Sequence, residues 1–268
     1  MEHRRGPDKI KTRTGYVAVG GHNLEFVSIP AQRAGLPALV FLHEGLGSVA
    51  LWRTFPAALA KRTGCGAIVF SRYGNGFSTS LSGARTPAYM HDEALIALPA
   101  LLDRLEVAGA VLVGHSDGAS IALLHAAVHP ENVRALVLEA PHVFVEDLSV
   151  RSIARVKTEY ESTGLRARMA RYHADVDRTF YGWNDIWLSP PFRDWNIEAL
   201  VERVRAPIFV VQGLDDAYGT PAQIESIGRR AAGPVDRLLL AGCGHTPHRD
   251  RGSLVESAAG AWLQEKLL

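Results

Sequence analysis

Cysteine is scarce in this chain: Cys65 and Cys243 are the only two among 268 residues. Two thiols cannot build a disulfide scaffold or a cysteine-rich metal site, and a reduced, cytoplasmic setting is the default expectation. An excess of one charge is lacking as well. Lys and Arg number 29 and Asp and Glu 28, a formal net charge of +1, so no global field favours nucleic acid or an anionic membrane, and neither is expected as a partner. No apolar run reaches the roughly 18 residues that a membrane span needs. The basic opening "MEHRRGPDKIKTR" leads into no apolar segment, so it reads as a solvated tail and not as a secretory signal. There is no internal repeat and no low-complexity stretch. His115, His125, His129 and His142 lack paired ligand spacing, so no metal site is expected. The "GNG" at 74–76 is not followed by Lys-Ser/Thr, which makes it a turn and not a phosphate loop.

What is there is a chain long enough for one large domain with a full core. "YVAVG" (16–20) and "LEFVSI" (24–29), separated by Gly and Asn, predict an opening hairpin. Six further runs are almost continuously apolar: "ALVFLH" (38–43), "AIVFS" (67–71), "AVLVGH" (110–115), "ALVLEA" (135–140), "IFVVQG" (208–213) and "RLLLAG" (237–242). Such runs mark strands buried on both faces of a parallel sheet. Helices are expected between them at 49–62, 89–107, 117–129, 220–231 and 250–267, with Pro99 kinking or restarting the second and an apolar stripe (Ala119, Leu123, Leu124, Ala127) on the third. The result is an α/β fold with a mostly parallel, eight-stranded sheet flanked by helices. After the sixth strand the alternation breaks. A helical stretch with Trp183, Trp187 and Trp195, too long for a loop, reads as a cap over residues 142–203. The core then comprises 1–141 and 204–268.

"VLVGHSDGAS" (111–120) sets Ser116 between glycines where a buried strand ends and a helix begins. Ligands bind beyond the carboxyl ends of strands in open parallel sheets, so a serine held on this bend is a candidate nucleophile. It needs a base and an orienting acid. "GCGHTPHRD" supplies His245 after the last strand, with His248 as the competing base. "VVQGLDDAYGT" supplies Asp215 and Asp216 after the strand before it, and Glu139 near the end of "LVLEA" is a further rival acid. An oxyanion would need two N–H donors: one from Asp117, the other from "HEGLGS" (43–48), with Gly45 preferred to Glu44. The Asp117 carboxylate itself suits the first turn of a helix. Glu44 is expected to be solvated or locally bonded, with substrate contact as the alternative. Trp183 and Trp187 are candidate substrate walls. Six Arg and Lys residues against two Glu within 151–171 form a solvated face, or select an anionic substrate.

Taken together, "HEGLGS", "SRYGNGFS" (71–78), "GHSDG", "GLDD" and "GCGH" resemble, in this order, the landmarks of the α/β-hydrolase superfamily from about residue 15 onward. The resemblance implies a cofactor-free serine hydrolase with a Ser116–His245–Asp216 triad, because the acid commonly stands three residues after the glycine that ends its strand, here Gly213. The implied substrate is a small-molecule carboxylic ester. Hydrolysis of a C–C bond, a thioester or a lactone by the same triad, and a non-catalytic ligand receptor, are the alternatives. Serine at 116 in place of aspartate argues against the dehalogenase and epoxide hydrolase branches. Glu44 stands where many members have glycine.

Overall fold

The computed structural model describes residues 12–267; the basic opening segment, residues 1–11, lies outside them. Eight strands form one sheet: β1 (Arg13–Val19), β2 (His22–Ile29), β3 (Leu39–Leu42), β4 (Ala67–Phe70), β5 (Ala110–His115), β6 (Val133–Glu139), β7 (Ile208–Gly213) and β8 (Val235–Leu240). Their order is β1-β2-β4-β3-β5-β6-β7-β8. β2 runs antiparallel to both β1 and β4, and every other pair is parallel. The helices are α1 (Phe55–Thr63), α2 (Tyr89–Asp92), α3 (Leu98–Arg104), α4 (Asp117–Val128), α5 (Asp147–Ser162), α6 (Leu165–Met169), α7 (Val176–Leu188), α8 (Glu198–Val201), α9 (Ala222–Arg230), α10 (Pro247–Asp250) and α11 (Gly252–Leu267).

The apolar runs become central strands because alternate side chains enter two separate cores. Val40, Leu42, Leu112, Leu136, Leu138, Ile208 and Val210 face α2, α3, α4, α8 and α9. Leu39, Phe41, Val111, Val113, Ala135, Val137, Phe209 and Val211 face α1 and α11. β8 departs from this pattern. Among the described residues it has a sheet neighbour on one side only, and Leu239 is 50% exposed, so "RLLLAG" is a half-covered edge and not a strand buried on both faces.

The helices also depart from expectation in ways their residues explain. No apolar stripe distinguishes α4, because every residue from Asp117 to Ala127 is buried. Its small and aliphatic side chains let it pack on all sides. Ahead of Pro99, residues Glu93–Ala97 form a wide π turn in which the Leu98 N–H reaches the Glu93 carbonyl. The helix thereby continues through a residue that has no N–H to give. The 49–62 segment is a short 3₁₀ turn, Val49–Trp52, followed by α1, with Arg53 at φ 53° between them.

Between β6 and β7 the chain is helical, α5 to α8. Its two ends meet: Phe144 bridges Asn196, and the Ile197 N–H donates to the Val143 carbonyl at 2.8 Å. Trp195 lies at this junction and stacks on Phe192 with ring centroids 5.5 Å apart. The basic residues of 151–171 face outward: Arg166 pairs with Asp177 and Lys157 with Asp185, exposed pairs of small energetic value.

Trp195 is buried among core residues. Replacing it with alanine is expected to lower stability by about 3–5 kcal/mol in urea unfolding. Relative turnover of different substrates should stay constant below the new unfolding transition.

Candidate active site

Ser116 ends β5 and precedes α4 with φ 53° and ψ −119°, a left-handed conformation that costs a non-glycine residue about 1–3 kcal/mol. The strain is held by packing on both sides. The Ser116 N–H donates to the Glu139 carbonyl at 2.9 Å, and the Ser116 carbonyl accepts from the Ala119 and Ser120 N–H groups. A side chain on Gly118 would run into the backbone carbonyl of Leu42, and one on Gly114 into the start of α4. Only glycines let the helix approach the sheet this closely.

His245, on the loop after β8, lies with Nε2 2.9 Å from Ser116 Oγ. Its Nδ1 is 2.8 and 2.9 Å from the two Asp216 carboxylate oxygens. A carboxylate can only accept, so Nδ1 carries the proton, and Nε2 accepts from the serine hydroxyl. Asp216 is held in turn by the Tyr218 N–H at 2.7 Å and by Gln212 Nε2 at 2.8 Å. Burial alone would raise the Asp216 carboxyl, but the hydrogen bond and charge of His245 outweigh it and bring it down to about 2.

The rival residues have other partners. Asp215 is exposed, and its N–H donates to the Cys243 carbonyl. Glu139 is fully buried and accepts from both the backbone N–H and Nδ1 of His248, at 2.9 and 2.8 Å. That pair ties β6 to the histidine loop.

The loop after β3 has its carbonyls turned away from the serine. The Glu44 carbonyl accepts from His43 Nδ1 and Arg72 Nη2, Gly45 and Gly47 accept from Asn75 Nδ2, and Leu46 accepts from His173 Nε2. Neither the Gly45 N–H nor the Asp117 N–H donates to another group among the described residues. The indole of Trp183 lies where a Gly45 side chain would be. The Asp117 carboxylate is more than a helix-dipole partner. It accepts from Tyr89 Oη at 2.7 Å, lies 3.7 Å from Arg72 Nη2, and is linked through Tyr89 to Trp187 Nε1, 3.0 Å from the phenol oxygen.

Glu44 is locally bonded and also borders the space above Ser116. Its Oε2 is 3.4 Å from Nδ1 of His115, the residue before the serine, and its side chain stays 27% exposed. His115 Nε2 donates to the His245 carbonyl at 2.6 Å. Burial pushes His115 down, but Glu44 first, then Glu139 and the His245 carbonyl, hold it up at about 9. The carboxyl of Glu44 is correspondingly held below its ordinary range against its own burial.

A cavity of about 190 Å³ opens over Ser116, walled by Leu46, Ile153, Trp183, Trp187 and Tyr218, with Glu44, His142 and Thr246 among its polar lining. A larger hollow of about 500 Å³ lies between Leu81 and Ser189 and contains none of the three hydrogen-bonded residues. Trp195 and the basic residues of 151–171 do not reach the cavity. Gln212, Tyr218 and His173, not singled out in the motifs above, and His142, present there only as one of four scattered histidines, also belong to the site and its loops. Of these, only the Asp-x-Tyr-Gly turn after Asp216 carried a local signal, a carboxylate accepting N–H groups two and three residues on.

A sheet of this order, with its serine bend after β5 and a histidine and an acid at the same edge, is the architecture of the α/β hydrolases. The chain belongs to the alpha/beta hydrolase family, whose model matches residues 39–258. Over 105 residues, 39% of this chain, it is 35% identical to a mouse protein named sn-1-specific diacylglycerol lipase ABHD11. That match spans about a third, 33%, of the mouse protein's length. Among solved structures, the enol-lactonase of Burkholderia xenovorans LB400 superposes with a TM-score of 0.74 at 19% identity, covering 93% of this chain and 99% of that one. The carboxylesterase CesB of Bacillus subtilis gives 0.70 at 18% identity, covering 95% and 92%. No helix among the described residues is long and apolar enough to cross a membrane.

The raised His115 sets a pH dependence. A group whose folded pKa exceeds its unfolded one stabilises fully below the unfolded value and loses that contribution as pH rises through the folded value. The urea midpoint is therefore expected to fall between pH 6.5 and about 9, and to fall less steeply in Glu44→Gln. Equal slopes in the two proteins would contradict this pairing.

Proposed function

We propose that the protein hydrolyses small carboxylic esters through an acyl-enzyme on Ser116. The observation that carries this reading is the unbroken chain from Ser116 Oγ through His245 to Asp216, at the floor of a cavity bordered by Gly45 and Asp117. His245 takes the serine proton as Oγ attacks the ester carbonyl, and Asp216 stabilises the resulting imidazolium. The developing oxyanion is met by the N–H groups of Gly45 and Asp117. His245 then protonates the departing alkoxide, and water activated by the same imidazole releases the acid. The role of Asp216 follows from its contact with Nδ1, that of Glu139 and His248 from their contact with each other. The helices of 142–203 act as a cap whose Trp183 and Trp187 bound the acyl and alcohol groups, and Glu44 borders the same space. A cavity of about 190 Å³ favours short esters over long-chain lipids.

A fluorophosphonate is expected to label the wild type at Ser116, and Ser116→Ala to abolish ester turnover. Asp216→Asn should lower kcat by about 10²–10⁴-fold by favouring the wrong tautomer, and Asp215→Asn should leave it near wild type. Labelling without turnover would point to a receptor, and a ring-fission diketone consumed far faster than any ester would point to C–C hydrolysis.

Trp183→Ala enlarges the cavity beside Gly45. It is expected to raise kcat/KM for a bulky ester relative to acetate esters by several-fold, in parallel assays on one acyl series. Equal losses across the series would assign this ring to packing alone.

A further inference from the structure

His142 takes no part in the mechanism above, yet it lines the same cavity. Its position is firmly set. β6 ends at Glu139, and Ala140 turns the chain with φ 47°. The His142 N–H then donates to Ser120 Oγ at 3.2 Å, while its carbonyl accepts from that same hydroxyl at 2.6 Å. The ring rests edge-on against Trp187, with centroids 5.2 Å apart, and lies 5.7 Å from the His245 ring. It is 2% exposed.

This imidazole has no hydrogen-bond partner at either nitrogen among the described residues. Nδ1 is sealed from solvent on the side of Gly219, 3.7 Å from where a side chain on that glycine would begin, while Nε2 is the nitrogen that keeps accessible surface. A sealed N–H without an acceptor would be an orphaned donor, so the neutral ring places its proton on Nε2, where the cavity can receive it. Burial, together with the neighbouring His245, lowers its pKa to about 4, which keeps the ring neutral around pH 7. His142 is thus a fixed, uncharged donor without an acceptor.

The sheet order says which part of a substrate it faces. β3 and β6 flank β5 on opposite sides. The Gly45 loop follows β3 and His142 follows β6, so a scissile carbonyl oxygen turned toward Gly45 faces away from His142. The departing alcohol must lie by His245, which protonates it, and His142 is beside that ring. We infer that His142 Nε2–H donates to a second oxygen in the alcohol portion of the ester, so that the favoured substrates are small esters of alkoxy- or hydroxy-substituted alcohols. This inference rests on the ester-hydrolase reading and adds the class of alcohol to it.

The test uses two acetates of nearly equal shape, 2-methoxyethyl acetate and n-butyl acetate, which differ by one oxygen in place of a methylene. Both form the same acetyl-enzyme, so their ratio of kcat/KM reports recognition of the alcohol and not deacylation. Normalised to the rates of alkaline hydrolysis, the wild type is expected to prefer the methoxyethyl ester by roughly 3- to 10-fold, the range of one neutral hydrogen bond. His142→Phe should erase the preference, and His142→Gln, which returns an N–H at similar reach, should restore part of it. A wild-type ratio equal to the alkaline one overturns the inference whether or not the phenylalanine variant folds. So does an equal loss of kcat/KM on both esters in His142→Phe, which would mean that His142 serves the acylation chemistry common to them and not the alcohol. Absence of turnover of either ester by a wild type that also resists fluorophosphonate overturns the ester reading itself, and the inference with it.

Discussion

Everything at the candidate site depends on the close approach of the first turn of α4 to the ends of β3 and β5. Gly118 lies against the Leu42 carbonyl, where no side chain fits. That contact forces the chain to turn within one residue, and Ser116 absorbs the turn with a left-handed backbone. The hydroxyl is left at the strand's end, and the Asp117 N–H is left unused at the helix start. Strain of about 1–3 kcal/mol is tolerable because α4 is buried along nearly its whole length, and two dense cores over-determine the position of β5.

Around this bend the protein gathers ionisable groups, most of them buried, and gives each carboxylate a defined partner. Asp216 holds His245, Glu139 holds His248, Glu44 holds His115, and Asp117 is held by Tyr89 and Arg72. Four carboxylates in one region would repel one another if left unpaired. Each pairing commits its carboxylate to its own partners and removes it from competition for the others' histidines. Among the described residues of this region, His142 alone is buried without a charged or hydrogen-bonded partner on its ring, which separates it from the structural pairs.

The fold by itself does not name a substrate. Proteins described as an enol-lactonase and a carboxylesterase share it with this chain at 18–19% identity, a level that speaks for architecture and not for chemistry. What distinguishes one such site from another is the wall opposite the serine. Here that wall is formed by Trp183 and Trp187 of α7, Ile153 of α5 and the aromatic ring of Tyr218. Trp187 also reaches Asp117 through Tyr89, so the helices that shape the cavity are mechanically joined to the residue following the serine.

The sequence alone determined the layered α/β architecture, the eight strands and the helical break after the sixth, because apolar run length and turn residues are local properties of the chain. It also determined the order Ser, Asp, His, and thus that three such side chains would emerge at one sheet edge. It could not separate the buried face of β8 from its open one, since a run of leucines reads alike at an edge and in the centre. Nor could it see that α4 would be buried all round, which follows from what lies on either side of it. The partners of the charged residues were decided by tertiary structure alone. Glu44 meets His115 across 71 positions of sequence and Glu139 meets His248 across 109. No local pattern encodes those separations, and only the folded sheet brings the pairs within hydrogen-bonding reach.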